Sequence, residues 1–186
     1  MENLRMAIGN EIEWIQPKIN QRSYVLCTGD TVFASLRFET SFGSLASAEA
    51  ADGSWTFKRV GFFKTHVTVR RAGEETDLAV YTPNWFGTEG AIQFTGGRSY
   101  TWKPANFWAT QYQIQDSLEK VVLTYKSGKE HSNLPDLFKV QARVEIDPAY
   151  ENIPEISLLV LLGWYLMILR HDDDTTAAAA ATTALS

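Results

Sequence analysis

The chain has 186 residues, which favours a single domain that is large enough to bury a hydrophobic core. Its 22 acidic and 17 basic side chains give a formal net charge of −5, which argues against recruitment to nucleic acid by a basic field. Cys27 is the only cysteine, which excludes an internal disulfide and a multi-cysteine metal site and favours a reducing compartment, the cytoplasm.

Residues 1–10 read as a lead-in without the features of a secretory signal peptide. From Tyr24 to Ile146 the dominant pattern is an alternation of apolar and polar residues. In the run FKVQARVEID, at residues 138–147, five apolar residues alternate with five polar ones, as in a strand with one buried face. Turn signals such as TGDT, ADGSW and KSGKE separate these runs. We count about twelve short strands, which indicates an antiparallel sandwich or barrel.

The stretch FKRVGFFKTHVTVRR, at residues 57–71, contains no acidic residue in a protein that is acidic overall. Its alternation predicts that Lys58, His66 and Arg70 share the outer face of a hairpin, with Lys64 in the turn beside two phenylalanines that are suited to dip into an interface. Such a cluster of cationic and ionisable groups fits a phosphate or an anionic headgroup. The alternative is an ordinary charged outer wall.

Two similar stretches, PNWFG at residues 83–87 and PANFW at residues 104–108, each place an asparagine beside two aromatic residues. One interpretation is a ligand mouth at one end of a barrel, and the other, which we favour, is a plug that closes that end against water. The aromatic residues concerned are Trp85, Phe86, Phe107 and Trp108.

The 14 residues from Ile156 to Leu169 carry no charge. At 1.5 Å per residue they span about 21 Å as a helix, which is short of the roughly 30 Å of a bilayer core. Asn152 and Glu155 have the spacing of a capping box, so we predict a helix over about residues 153–170.

This predicted helix has no polar stripe, and a helix that is apolar all round must be surrounded by apolar matter. A closed barrel can surround a helix completely. The sequence therefore predicts a mainly β fold, a closed antiparallel barrel of about twelve strands around a buried hydrophobic C-terminal helix, over residues 11–171. Gly163 would permit close approach of the helix to the barrel wall.

The chain ends in RHDDD, at residues 170–174, and an alanine- and threonine-rich segment. Three consecutive aspartates rarely converge on one calcium ion, so we interpret them as a solvated stop to the helix. We predict that residues 172–186 form a disordered tail.

The serial hairpins containing DGSWTFKRVGFF and FTGGRSYTWKPANFW, followed by ISLLVLLGWYLMIL, resemble the tubby C-terminal-like superfamily, which includes the LURP-one-related and phospholipid scramblase proteins. The resemblance covers roughly residues 10–170. It implies a barrel wound around a hydrophobic C-terminal helix. Since tubby domains bind phosphoinositides through basic residues on the outside of the barrel, it also implies an anionic-lipid ligand.

Known catalytic motifs are absent from the sequence, which has no nucleophile elbow, phosphate-binding loop or metalloprotease signature. His66, His131 and His171 do not have the spacing of metal ligands, and Cys27 fits an inert core position. We therefore expect a protein that is not an enzyme and that holds no cofactor and no metal.

The function predicted from these patterns is that of a soluble, monomeric, cytoplasmic barrel that binds anionic phospholipid headgroups at a membrane surface and does not bind nucleic acid. The predicted ligand-binding residues are Lys58, Lys64, His66 and Arg70. Two alternatives stay open. One is a tail-anchored membrane protein whose helix 153–170 spans the bilayer, and the other is a scaffold that acts through protein contacts alone.

Overall fold

The computed structural model describes residues 1–18, 20–62, 64–127 and 142–183. The described residues form twelve strands that close into one antiparallel barrel, in which each strand pairs with the next and β12 returns to β1. The predicted fold class is therefore confirmed. The strands are β1 Ile12–Ile15, β2 Ser23–Thr28, β3 Thr31–Phe38, β4 Ala46–Ala50, β5 Gly53–Val60, β6 His66–Arg71, β7 Asp77–Pro83, β8 Gly90–Phe94, β9 Ser99–Pro104, β10 Gln111–Asp116, β11 Val121–Ser127 and β12 Ala142–Ile146.

The alternation of apolar residues predicts which face of each strand is buried. In β12 the side chains of Ala142, Val144 and Ile146 are buried, whereas Arg143 and Glu145 lie on the other face. The first part of the predicted strand, residues 138–141, lies outside the described residues. The structure thus confirms the period-two reading for the part of β12 that it describes.

Among the described residues there is one long helix, α1 (Ile156–Thr183), and its first part fills the barrel. Every residue from Ile156 to Leu166 is buried. These 11 residues make three helical turns, so their side chains point in all directions around the axis. Only a wall that surrounds the helix can bury all of them, as the sequence predicts.

Contacts between α1 and the wall show how closely the two fit. The ring of Trp164 stacks on Trp14 of β1, with ring centroids 5.6 Å apart. Two strands further around the wall, a Cβ atom at Gly163 would lie 2.4 Å from the Tyr125 hydroxyl oxygen of β11. The prediction that Gly163 permits close approach is confirmed, because any side chain there would collide with the wall.

Both predicted boundaries of the helix are wrong. The helix begins at Ile156 rather than near residue 153, and the Asn152 side chain donates to Glu151 instead of capping the helix. The Glu155 carboxylate is 3.0 Å from the guanidinium of Arg98 in the β8–β9 turn, so it is turned away from the predicted capping box.

At the other end, the helix continues to Thr183 through most of the segment that we predicted to be a disordered tail. Alanine has the highest helix propensity and no glycine or proline interrupts residues 171–183, so nothing local stops the helix. Among the described residues, no helix has the combined length and apolarity that crossing a membrane requires.

Candidate functional site

The two ends of the barrel differ in what surrounds the helix. Because strands alternate in direction, the connections β1–β2, β3–β4, β5–β6, β7–β8 and β9–β10 lie together at one end. The helix leaves the barrel at that end, where the Arg170 side chain donates to the Gly87 carbonyl in the β7–β8 loop at 3.1 Å. We call this the exit end.

All six exposed phenylalanine and tryptophan side chains among the described residues lie on loops of the exit end. Trp85 is 94% exposed and Trp108 is 80% exposed, values close to those of free side chains. We call this set the aromatic rim. It consists of Phe42 in β3–β4, Phe62 in β5–β6, Trp85 and Phe86 in β7–β8, and Phe107 and Trp108 in β9–β10.

The prediction that Trp85, Phe86, Phe107 and Trp108 plug one end of the barrel is therefore wrong. The four side chains are at least 80% exposed, so they do not close the core against water. The rings stand instead around the place where the helix emerges.

Two loops of the exit end share one local design, which explains why their aromatic residues point outward. The pattern is N-W-F-G-T at residues 84–88 and N-F-W-A-T at residues 106–110. The asparagine side chain of each loop accepts a hydrogen bond from the backbone N–H of the threonine four residues later, at 3.1 and 3.0 Å.

In both loops the fourth residue adopts a left-handed conformation, with φ of 67° at Gly87 and 52° at Ala109. Left-handed backbone is unfavourable for alanine, and such conformations often persist where function requires them. The asparagine-to-threonine spacing is the sequence signal that would have revealed this pair of loops.

Arg22, in the β1–β2 connection, holds the start of the emerging helix segment. Its guanidinium donates to the Gly43 carbonyl at 2.8 Å, lies 3.8 Å from the centre of the Phe38 ring and forms an ion pair with Asp172. These contacts tie three elements of the exit end together.

Two further arginines of the exit end meet the other aspartates. The Arg59 guanidinium donates to both carboxylate oxygens of Asp173, at 2.9 and 2.7 Å, and Arg170 lies 3.9 Å from Asp174. The interpretation of the three aspartates as a stop to the helix is wrong, because α1 continues through them to Thr183. Asp172 and Asp173 also bind arginines more than 100 positions away in the sequence.

A pocket of about 290 Å³ opens at the exit end, between α1 and strands β6, β7 and β9. Its size lies at the lower limit of small-molecule sites, which measure roughly 300–1,000 Å³. The pocket has apolar walls and charged groups around it; its lining residues are Arg59, Thr65, His66, Val67, Tyr81, Pro83, Phe86, Gly87, Trp102, Leu166, Leu169, Arg170, Asp173 and Asp174.

The predicted binding residues are only partly gathered at this end. In the β5–β6 pairing, Lys58 lies opposite Thr68 and His66 opposite Val60, on the face away from Phe57 and Val69. Lys64 is exposed in the β5–β6 loop of the exit end, and His66 lines the pocket.

Arg70 stands apart from the other predicted residues. It is four residues from His66 along β6, or about 13 Å at 3.3 Å per residue. Its guanidinium is 2.6 Å from the Asp77 carboxylate, so its charge is already paired.

Two other groups considered in the sequence lie away from the exit end or outside the described residues. Cys27 is buried in β2, and burial raises the pKa of its thiol, with the nearby Glu13 carboxylate raising it further. His131 falls in the range that the structure does not describe. In the described ranges, no group of three His, Cys, Asp or Glu side chains has an arrangement that could hold a metal ion.

No protein-family model, curated protein or solved structure matches this chain. The resemblance to tubby-like barrels therefore stays a prediction. The function is inferred from the exit end itself.

Proposed function

We propose that this protein is a non-enzymatic barrel that binds anionic phospholipid membranes at their surface, with the exit end facing the bilayer. The observation that carries the proposal is the aromatic rim, because every exposed aromatic ring in the described chain lies at this one end. Tryptophan and other aromatic side chains favour the boundary between water and lipid, where an apolar ring can be buried while polar groups stay wet.

The arrangement of the rim fits a flat partner better than a narrow one. Its rings lie on four separate hairpin loops around the emerging helix rather than along one groove. Fully burying a phenylalanine contributes about 1.5–3 kcal/mol, so half-burial of six rings gives on the order of 5 kcal/mol. Binding of that strength is reversible and comparable to that of one myristoyl chain, which needs a second signal for stable attachment.

Basic residues beside the rim supply that second signal. Lys64 shares a loop with Phe62, and Lys58 lies on the adjoining outer face of β5. Neither lysine has an ion-pair partner among the described residues. A basic residue near an anionic leaflet contributes about 1 kcal/mol, so the two lysines together favour anionic over neutral membranes by about thirtyfold.

Co-sedimentation with phosphatidylcholine vesicles, with and without phosphatidylserine, tests this proposal. Replacing Trp85 and Trp108 with serine is expected to weaken binding to both kinds of vesicle by about tenfold or more. Replacing Lys58 and Lys64 with glutamate is expected to remove only the preference for anionic vesicles, and salt is expected to reduce that preference in the wild type.

A matched control variant lies at the opposite end of the barrel. Leu118 is 73% exposed in the β10–β11 turn, near Lys120, and the pair Leu118→Ser and Lys120→Glu makes the same kinds of change away from the rim. We expect this variant to bind like the wild type. If the wild type binds neither kind of vesicle, the proposal is wrong and the rim is better explained as a contact surface for another protein. The proposal is also wrong if the control and the rim variants lose binding equally.

A further inference from the structure

Part of the lining of the exit-end pocket is apolar. Val67, Leu166 and Leu169 contribute aliphatic walls, and Tyr81 and Trp102 contribute aromatic ones. The buried indole N–H of Trp102 has no hydrogen-bond partner among the described residues. Apolar walls of this kind suit a ligand with an apolar chain.

Charged groups at the pocket are positioned to hold an anion. Arg59, Arg170 and His66 contribute to its lining, as do Asp173 and Asp174, the aspartates that pair with the two arginines. One guanidinium nitrogen of Arg59, Nη1, donates to both oxygens of the Asp173 carboxylate, and the same charged donor suits a free carboxylate or a phosphate. Asp173 thus occupies the place that the head of an anionic ligand would take.

We propose that this pocket binds an anionic amphiphile with one short apolar chain, whose head group replaces Asp173 on Arg59 and whose chain lies against Val67, Trp102 and Leu166. This inference rests on the proposed function and deepens it, because it identifies the class of anionic molecule that the exit end takes. The shared chemistry is a phosphate or carboxylate head on an apolar chain, whether the molecule is free in solution or belongs to a membrane.

Exchange of the aspartate for a ligand costs little. The Asp173 side chain is 57% exposed and that of Arg59 is 35% exposed, and ion pairs with that much access to water contribute little to stability. Released Asp173 is hydrated at once, since it lies on the part of α1 that stands outside the barrel. A ligand gains in addition from burying its chain, which the aspartate cannot do.

Isothermal titration calorimetry with octyl phosphate, kept below the concentration at which it forms micelles, tests the inference. Asp173→Asn is expected to bind octyl phosphate about threefold more tightly, because the internal competitor is removed. Arg59→Gln is expected to bind it about tenfold more weakly. Matched controls with the same changes of charge are Asp30→Asn and Arg71→Gln, both at exposed positions elsewhere, and we expect wild-type affinity from each.

Two simpler compounds separate the contributions of head and chain. Inorganic phosphate carries the head alone and octanol carries the chain alone, so each is expected to bind more weakly than octyl phosphate. Equal binding of octanol would refute the anion site, and equal binding of inorganic phosphate would refute the role of the apolar pocket. If the Asp173→Asn protein binds octyl phosphate no more tightly than the Asp30→Asn protein does, Asp173 does not compete with the ligand.

The result is separable from that of the vesicle experiment. If the wild type sediments with anionic vesicles but does not bind monomeric octyl phosphate, the pocket inference fails and the proposed function stands. If octyl phosphate binds with the expected order of variants but vesicles do not, the pocket serves a free amphiphile and the membrane proposal fails.

Discussion

Replacing Gly163 with alanine tests how tightly the barrel holds its helix. In an exposed helix this change is expected to raise stability by about 1 kcal/mol, because alanine has the higher helix propensity. Here the added Cβ would lie 2.4 Å from the hydroxyl oxygen of Tyr125 and 2.6 and 2.7 Å from two of its ring carbons. The expected sign is therefore reversed.

The magnitude follows from the fact that Tyr125 has nowhere to move. It is fully buried, and its hydroxyl donates to the Val160 carbonyl at 2.7 Å. Overpacking of a core costs about 1–3 kcal/mol. Displacing the ring also costs a buried hydrogen bond, about 1 kcal/mol, which roughly cancels the propensity gain. We expect Gly163→Ala to lower the free energy of unfolding by about 1–3 kcal/mol, which corresponds to a Tm about 2–12 °C lower.

Urea unfolding followed by circular dichroism measures this change. Gly96→Ala is the control, since a Cβ at Gly96 meets nothing within 4 Å. Tyr125→Phe removes the hydroxyl but keeps the ring, so Gly163→Ala is expected to stay destabilising in that background. A Gly163→Ala protein that is as stable as the wild type, or more stable, would show that the wall and the helix are not in the close contact described.

Three further predictions concern stability. Arg22→Gln is expected to lower the free energy of unfolding by about 2 kcal/mol in urea titrations, because several acceptors, including the Asp172 carboxylate, lose a charged donor. Arg22→Lys is not expected to restore the stability, since lysine lacks the planar fork of donors. Ala109→Gly is expected to raise the urea midpoint by the equivalent of about 0.5–1 kcal/mol, because glycine tolerates φ of 52° whereas alanine does not; a lower midpoint would refute the strain. Burial raises the pKa of Tyr125 and Tyr165 above the usual 10, so the folded state keeps these protons at a pH where the unfolded chain has lost them. The contribution of each tyrosine to stability is expected to be level up to about pH 10 and then to fall by about 1.4 kcal/mol per pH unit. Unchanged stability between about pH 10 and 11 would contradict the burial.

Most of the fold follows from the sequence because its signals are local. Alternation along a strand identifies the buried face, as at Val144, and it needs no knowledge of the partner strand. The enclosed helix follows in the same way, because a segment that is apolar in every direction has to be surrounded. Gly163 marked the place of closest approach for the same reason, as the one position in that segment without a side chain.

The helix boundaries and the exit end were decided by the tertiary structure. Trp85 and Trp102 are both tryptophans close to a strand end, yet one is 94% exposed and the other is 2% exposed. Periodicity assigns Trp102 to the inner face of β9, but a loop has no periodicity from which to assign Trp85. Its outward position depends on the conformation of the β7–β8 loop, which the Asn84–Thr88 hydrogen bond and the left-handed Gly87 define.

The ion pairs of the exit end required the three-dimensional arrangement most of all. Arg22 and Asp172 lie 150 positions apart, and neither has a local pattern that identifies the other as its partner. The sequence by itself determined a barrel and the helix inside it, since both follow from where apolar side chains repeat. Only the closed barrel decided where that helix emerges. It thereby decided which arginines the aspartates bind and which aromatic rings surround the helix, because these contacts depend on distances between loops that are far apart along the chain.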